Sequence, residues 1–174
     1  MDNRAAAERA VGHLISYGHR RIAYLGDREE IWTVGERFAG YRSALAAAGI
    51  PEDPDIIVHG IRYGSDAATA VTGIFARPDP PTAVLASNDV VAVGILGAIP
   101  RGTALVGFDD FVLASSLDPP VTVVSQDPVV IGATAAQLLF ARIHGDRSPT
   151  RTVTLQTRFI ERGSGEIPGP FPAP

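Results

Sequence analysis

The 174-residue sequence predicts an α/β fold, a doubly wound and mostly parallel sheet with helices on both faces. Three observations carry that prediction. Short runs that are apolar throughout, such as residues 22–25, 83–86 and 104–107, read as strands covered on both sides. The longer stretches between them repeat apolar residues at helical spacing. Gly and Pro punctuate most of the junctions, where they stop one element and turn the chain into the next.

The elements follow in order. Residues 4–17 carry Ala7, Val11, Leu14 and Ile15 on one helical stripe, and Gly18 stops the helix. Residues 22–25 form a strand that ends at Gly26. A helix over 35–48 holds Phe38, Tyr41 and Leu45 on one stripe, and Gly49-Ile50-Pro51 terminates it. Residues 56–58 make the next strand, after which Ser65 is the expected cap of a helix running to about Ala76. Pro78, Pro80 and Pro81 enforce a loop before the strand 83–86. A helix from Asn88 stops before Pro100, and 104–107 and 121–124 are strands. A long helix over 128–144, a last strand over 152–155 and a frayed Pro- and Gly-rich tail complete the reading.

Composition excludes several function classes. The net charge of −4 is opposite to what a chain gripping nucleic acid through its own surface needs. With no cysteine there is no disulfide framework and no thiolate metal site. Lysine is absent too, so every basic side chain is arginine. That removes phosphate loops that need a lysine, Schiff-base chemistry and lysine bases. The start, Met1-Asp2-Asn3-Arg4-Ala5, lacks the apolar core of an export signal, and no run has membrane-spanning length. A cytoplasmic setting is therefore expected, with no membrane partner.

In a parallel sheet the ligand sits at the carboxyl ends of the strands. Those ends carry Gly26-Asp27, His59-Gly60, Ser87-Asn88-Asp89 and Gly107-Phe108-Asp109-Asp110. Four aspartates on one edge suggest a magnesium pocket, but phosphoryl transfer needs a cation beside the phosphate, and no Asp-x-Asp pair is present. Asp89 and Asp110 read as helix caps, whereas Asn88 and Asp109 come first after their strands and are expected to point into the cleft. The first strand lacks G-x-G-x-x-G, and there is no G-x-S-x-G elbow. His13, His19, His59 and His144 are scattered and read as helix-end or surface histidines. No catalytic residue, metal ligand or cofactor is assigned. Arg37 follows a loop, 27–34, that holds the sole tryptophan, Trp32. An arginine beside an aromatic suits a ligand with hydroxyls, a carboxylate or a phosphate. A surface salt bridge to Glu36 or Glu30 accounts for it equally well.

Several stretches resemble the lac-repressor/galactose-repressor family of bacterial transcription regulators. They are Asp2-Asn3, Ala10-Val11-Gly12-His13-Leu14-Ile15, Gly18-His19-Arg20-Arg21-Ile22-Ala23 and Glu36-Arg37-Phe38-Ala39-Gly40-Tyr41. Pro80-Pro81-Thr82-Ala83-Val84, Ala86-Ser87-Asn88-Asp89, Val106-Gly107-Phe108-Asp109-Asp110 and Ile160-Glu161-Arg162-Gly163-Ser164 continue the likeness in family order. The resemblance implies a periplasmic-binding-protein-like fold, a homodimer and a small-molecule effector, a sugar or nucleoside, held between two lobes. By position it implies that Arg37 grips the effector, with Thr33 as the small hydroxyl before it. It makes Asn88 and Asp109 the hydroxyl-binding partners and places Gln126 at a crossover facing the cleft. Arg62 fills the slot of the family's stacking aromatic, and Tyr63 takes that role if the loop shifts by one.

The same likeness sets the expected organisation. Residues 1–124 with 151–165 form the carboxyl-terminal lobe, 125–150 cross to a first lobe, and 166–174 are a flexible tail. DNA would be bound only through a helix-turn-helix head outside this sequence. The stretch 94–103 is shorter than the family's helix and turn, which puts the usual dimer contact in question. A transport-type sugar-binding protein of the same fold, or a small α/β phosphotransfer enzyme, are the competing readings. In the helix over 128–144, Ile131, Ala135, Leu138 and Leu139 form a stripe expected to need a partner.

Overall fold

Strands and helices alternate along residues 1–172, the part of the chain that the computed structural model describes. The helices are α1 (Asn3–Ser16), α2 (Trp32–Ala47), α3 (Gly64–Phe75), α4 (Asp89–Ile95) and α5 (Pro128–Ile143). The strands are β1 (Ile22–Leu25), β2 (Ile57–Val58), β3 (Ala83–Ala86), β4 (Ala104–Phe108), β5 (Thr122–Ser125) and β6 (Arg158–Ile160). They form one sheet in the order β2-β1-β3-β4-β5-β6. β1 to β5 are parallel and β6 is antiparallel, with Val124 opposite Phe159.

The apolar strand runs are explained by two cores. Ile22, Tyr24, Leu85, Val106 and Phe108 face one side, where Ala6, Ala10, Leu14, Tyr41 and Leu45 of α1 and α2 cover them. Ala23, Leu25, Val84, Leu105 and Val123 face the other, under Val71, Ile74, Val91 and Ile95 of α3 and α4. Side chains that alternate in direction along a strand thus end in two separate cores. Helices α1 and α2 meet closely because Gly40 has no side chain: a Cβ there would lie 2.2 Å from the Arg4 carbonyl oxygen.

Several boundaries differ from the sequence reading. α2 begins at Trp32 rather than Gly35, so the loop over the first strand end is shorter than expected. Ser65 does not cap α3; extended Tyr63 precedes the helix, and Ser65 lies inside its first turn. The last strand is Arg158–Ile160, not 152–155, because 158–160 is the segment that lies beside β5. Residues 152–155 extend past the end of β5, where the chain has already turned toward α5.

Residues 166–171 of the tail are docked rather than frayed. Gly169 N donates to the Tyr17 carbonyl at 2.7 Å, and Phe171 N to that of Gly18 at 3.3 Å. His13 Nε2 meets Glu166 Oε1 at 2.5 Å, while Glu166 Oε2 accepts from the Thr122 hydroxyl and Gly163 N. Ala173 and Pro174 lie outside the described residues.

The histidines are correspondingly less peripheral than their scatter in sequence implies. His144 does end α5, but His19 is only 1% exposed and His59 packs edge-on against Phe38. His19 Nε2 donates to the Ile167 carbonyl at 2.9 Å, which leaves Nδ1 to accept from the Thr82 hydroxyl at 2.8 Å. A second proton, on Nδ1, would require that hydroxyl to turn and accept instead of donate, and burial holds the pKa below the ordinary 6.5. Because the folded value is depressed, the unfolded chain takes up the proton first as the pH falls. The contribution is complete above the unfolded value and is lost as pH drops from it toward the folded one. Thermal unfolding should therefore shift to lower temperature as the pH falls below the ordinary histidine value of 6.5. His19→Gln should remove that part of the slope, and a variant retaining all of it would refute the assignment.

Candidate functional site

The carboxyl ends of the central strands bring together side chains far apart in sequence. Arg37, on the second turn of α2, reaches under the end of the sheet and is only 5% exposed. Its Nε donates to Asn3 Oδ1 at 2.9 Å and its Nη1 to the Ser87 carbonyl at 2.6 Å. Nη1 also lies 3.6 Å from Asp109 Oδ2, and the guanidinium stacks 3.8 Å from the centre of the Phe108 ring. Burial works against the charge of Arg37 and lowers its pKa, while Asp109 opposes that loss. Among the described residues Nη2 donates to nothing.

Asp109 is held as firmly. It follows β4 with φ +72, a left-handed conformation that non-glycine residues adopt only where the surroundings enforce it. Its backbone N–H donates to the Val124 carbonyl at 2.8 Å, and Gln126 Nε2 donates to its Oδ1. Arg37 from α2, Asp109 after β4 and Gln126 after β5 therefore form one connected polar group. Such a fixed arginine and carboxylate can accept from and donate to neighbouring hydroxyls of one ligand.

The remaining candidates are placed differently. Asn88 rather than Asp89 is the cap of α4, its Oδ1 accepting from Val91 N at 2.8 Å; Asp89 is the first residue of the helix, and its Oδ1 accepts from Val90 N. The Asn88 amide nitrogen keeps its donors free of partners among the described residues. Asp110 caps no helix; it forms a bidentate pair with Arg162 at 2.7 and 2.8 Å, and those bonds lower its pKa. Trp32 and Thr33 open α2 and Tyr63 precedes α3, all at the same sheet edge, but none bonds to the Arg37–Asp109 pair. Trp32 and Tyr63 are 66% and 63% exposed, so each offers a free ring face at the rim. The Arg62 guanidinium lies 6.0 Å from the Tyr63 ring centre.

Sequence reasoning missed Asn3, the Ser87 carbonyl and the Phe108 ring. Asn3 carried a signal, since it belongs to one of the stretches that match the family; a backbone carbonyl carries none. Arg37 pairs with neither Glu36 nor Glu30, which closes the surface-bridge alternative: Glu36 is taken by Arg4. No group of three His, Cys, Asp or Glu among the described residues could hold a metal ion. A groove of about 710 Å³ opens at the opposite, amino ends of β1 and β3. Its Arg21 is already paired with Asp53 and Asp79, so the polar chemistry favours the strand-end site.

No helix among the described residues is long and apolar enough to cross a membrane. The pattern of the family described as periplasmic binding protein-like domain matches residues 11–165. The HTH-type transcriptional repressor CytR of Escherichia coli K12 is 33% identical over 94% of this chain and 50% of its own length. A Rhizobium rhizogenes protein named Probable opine utilization operon repressor is 37% identical over 94% of the chain and 90% of its own length. The chain thus spans about half the length of CytR and of several other transcription regulators that it matches. The solved CelR–cellobiose complex superposes with a TM-score of 0.86 at 32% identity, over 94% of this chain and 52% of that one. These relatives are transcription regulators rather than enzymes. Fold, strand-end site and likeness together place the chain in the periplasmic-binding-protein-like family, in its lac-repressor/galactose-repressor branch.

Proposed function

We propose that the chain is the effector-binding lobe of a cytoplasmic transcription regulator and that it recognises a small hydroxylated ligand, a sugar or a nucleoside. The observation that carries this reading is the Arg37–Asp109–Gln126 group, rigidly held at the strand ends with one guanidinium nitrogen unspent. Arg37 Nη2 and the Asn88 amide supply donors, Asp109 supplies an acceptor, and Trp32 or Tyr63 supplies an aromatic face for a ring. Thr33 adds a hydroxyl at the rim. A second lobe would close the cleft from above, and residues 125–150 would belong to it, in keeping with an α5 that buries none of its side chains. The lobe would work in a homodimer, and DNA would be bound by a separate helix-turn-helix head. The solved complex of CelR with cellobiose makes a neutral sugar the first class to test.

The test uses Trp32, the sole tryptophan, as a reporter in titrations with cellobiose, D-ribose and adenosine. Saturable change with one class, lost in Asp109→Ala, is the expected result. A chain that responds to none of the three, or whose Asp109→Ala variant responds as the parent does, would contradict the assignment.

A further inference from the structure

The contacts of Arg37 show how each part of its guanidinium is held. A guanidinium has one N–H on Nε and four on its two terminal nitrogens. Ser87 and Asp109 occupy Nη1, and Phe108 supports the plane from one face. These contacts fix one end of the group and its tilt. The contact that fixes its side edge is Asn3 Oδ1 on Nε, at 2.9 Å. Asn3 is 2% exposed although it is the first residue of α1, a position that normally faces water. It does not cap its helix. Its amide nitrogen reaches only the Met1 carbonyl, at 3.4 Å.

The identity of the residue fits this task. An aspartate at position 3 would accept the same hydrogen bond from Nε but add a second carboxylate beside Arg37. An asparagine accepts the same hydrogen bond without adding charge. Its neighbour Asp2 is tied elsewhere, accepting from Thr157 N at 2.9 Å and from Arg9 at 3.3 Å. The two residues therefore divide the work: Asp2 anchors the start of the chain to the segment before β6, and Asn3 reaches inward.

We infer that Asn3 is a positioning residue, which holds the guanidinium of Arg37 so that Nη2 is presented to a ligand at the strand ends. The inference rests on the proposed binding role of Arg37, but its first test does not depend on any ligand.

That test follows the Arg37 Nε–H signal by nuclear magnetic resonance in the full chain, the signal being identified by its loss in Arg37→Lys. In the parent and in Asn3→Asp, hydrogen exchange at Nε should be slow. In Asn3→Leu it should be about tenfold faster or more, as expected for loss of a hydrogen bond to a charged group. Asn3→Ser, too short to reach Nε, should behave like Asn3→Leu and serves if the leucine variant does not fold. Unchanged exchange in the leucine and serine variants, with or without a lower melting temperature, would overturn the inference and leave Asn3 a purely structural residue.

A second readout is affinity for cellobiose or D-ribose, whichever the parent binds. The dissociation constant should rise about tenfold or more in Asn3→Leu and stay within about threefold in Asn3→Asp. Equal constants in all three would count against positioning. A parent that binds neither sugar would weaken the proposed function, while the exchange result would still decide the role of Asn3.

Discussion

Arg37→Met is expected to lower the free energy of unfolding by about 3–5 kcal/mol, the range for removing one partner of a buried ion pair. The methionine keeps the stem over the Phe108 ring but takes away every donor. Asn3 Oδ1 and the Ser87 carbonyl then lose the hydrogen bonds they receive from Arg37, at 2.9 and 2.6 Å. Asp109 keeps Gln126 but loses its counter-charge in a backbone conformation it cannot easily leave. Asp109→Asn should cost less, because that side chain is 28% exposed and water can take over part of its role. Urea titration of both variants at neutral pH measures the two losses. A cost below about 1 kcal/mol for Arg37→Met would show that the arginine is not a structural keystone and is held loosely. Any ligand response should vanish in both variants, so stability and binding have to be scored separately.

The second large effect concerns α5. Val129, Val130, Ile131, Leu139, Phe140 and Ile143 are exposed on it, and no residue of the helix is buried. It does not fold back onto the lobe. A helix apolar on most of its circumference is stable in water only when something covers it. Each large side chain left exposed forgoes roughly 1.5–3 kcal/mol of burial. The isolated 18.3-kDa chain is therefore expected to associate through α5, by side-by-side packing or by exchange of the segment between copies. Light scattering at high concentration should report at least twice the monomer mass. Leu139→Asp with Phe140→Lys should restore the monomer without lowering the melting temperature, since neither side chain packs against the lobe. A parent that stays monomeric over the whole concentration range would show that α5 tolerates exposure.

The fold was written in local patterns. Apolar runs such as Ile22–Leu25 and Ala83–Ala86 are buried on both faces, as an uninterrupted apolar run requires, and the helical stripes of α1 and α2 cover one side of them. Burial on a strand or helix depends on a repeat a few residues long, so it can be read from a short window. The strand ends could be read for the same reason, and with them the neighbourhood of the site: Asp109 stands at the end of β4, and Gln126 just beyond β5. Arg37 itself was ambiguous locally, with acidic neighbours on either side.

What the tertiary structure decided was which polar group meets which. Arg37 finds Asn3 across 34 positions of sequence, and His19 finds Ile167 across 148. The choice between Glu30, Glu36 and Asp109 as the partner of Arg37 depends on where α2 lies over the sheet, which no window around residue 37 contains. The tail was misread because Pro and Gly report only that no regular element forms; the donors of Gly169 and Phe171 are satisfied by carbonyls at the far end of α1. Asn88 took the capping role for a narrower reason. Asn88 and Asp89 are both good caps, and because α4 begins at Asp89 the cap position falls on Asn88. Apolar burial is additive and local, so it survives reduction to a sequence pattern. A buried hydrogen bond is specific to one partner, and that partner exists only once the chain has folded.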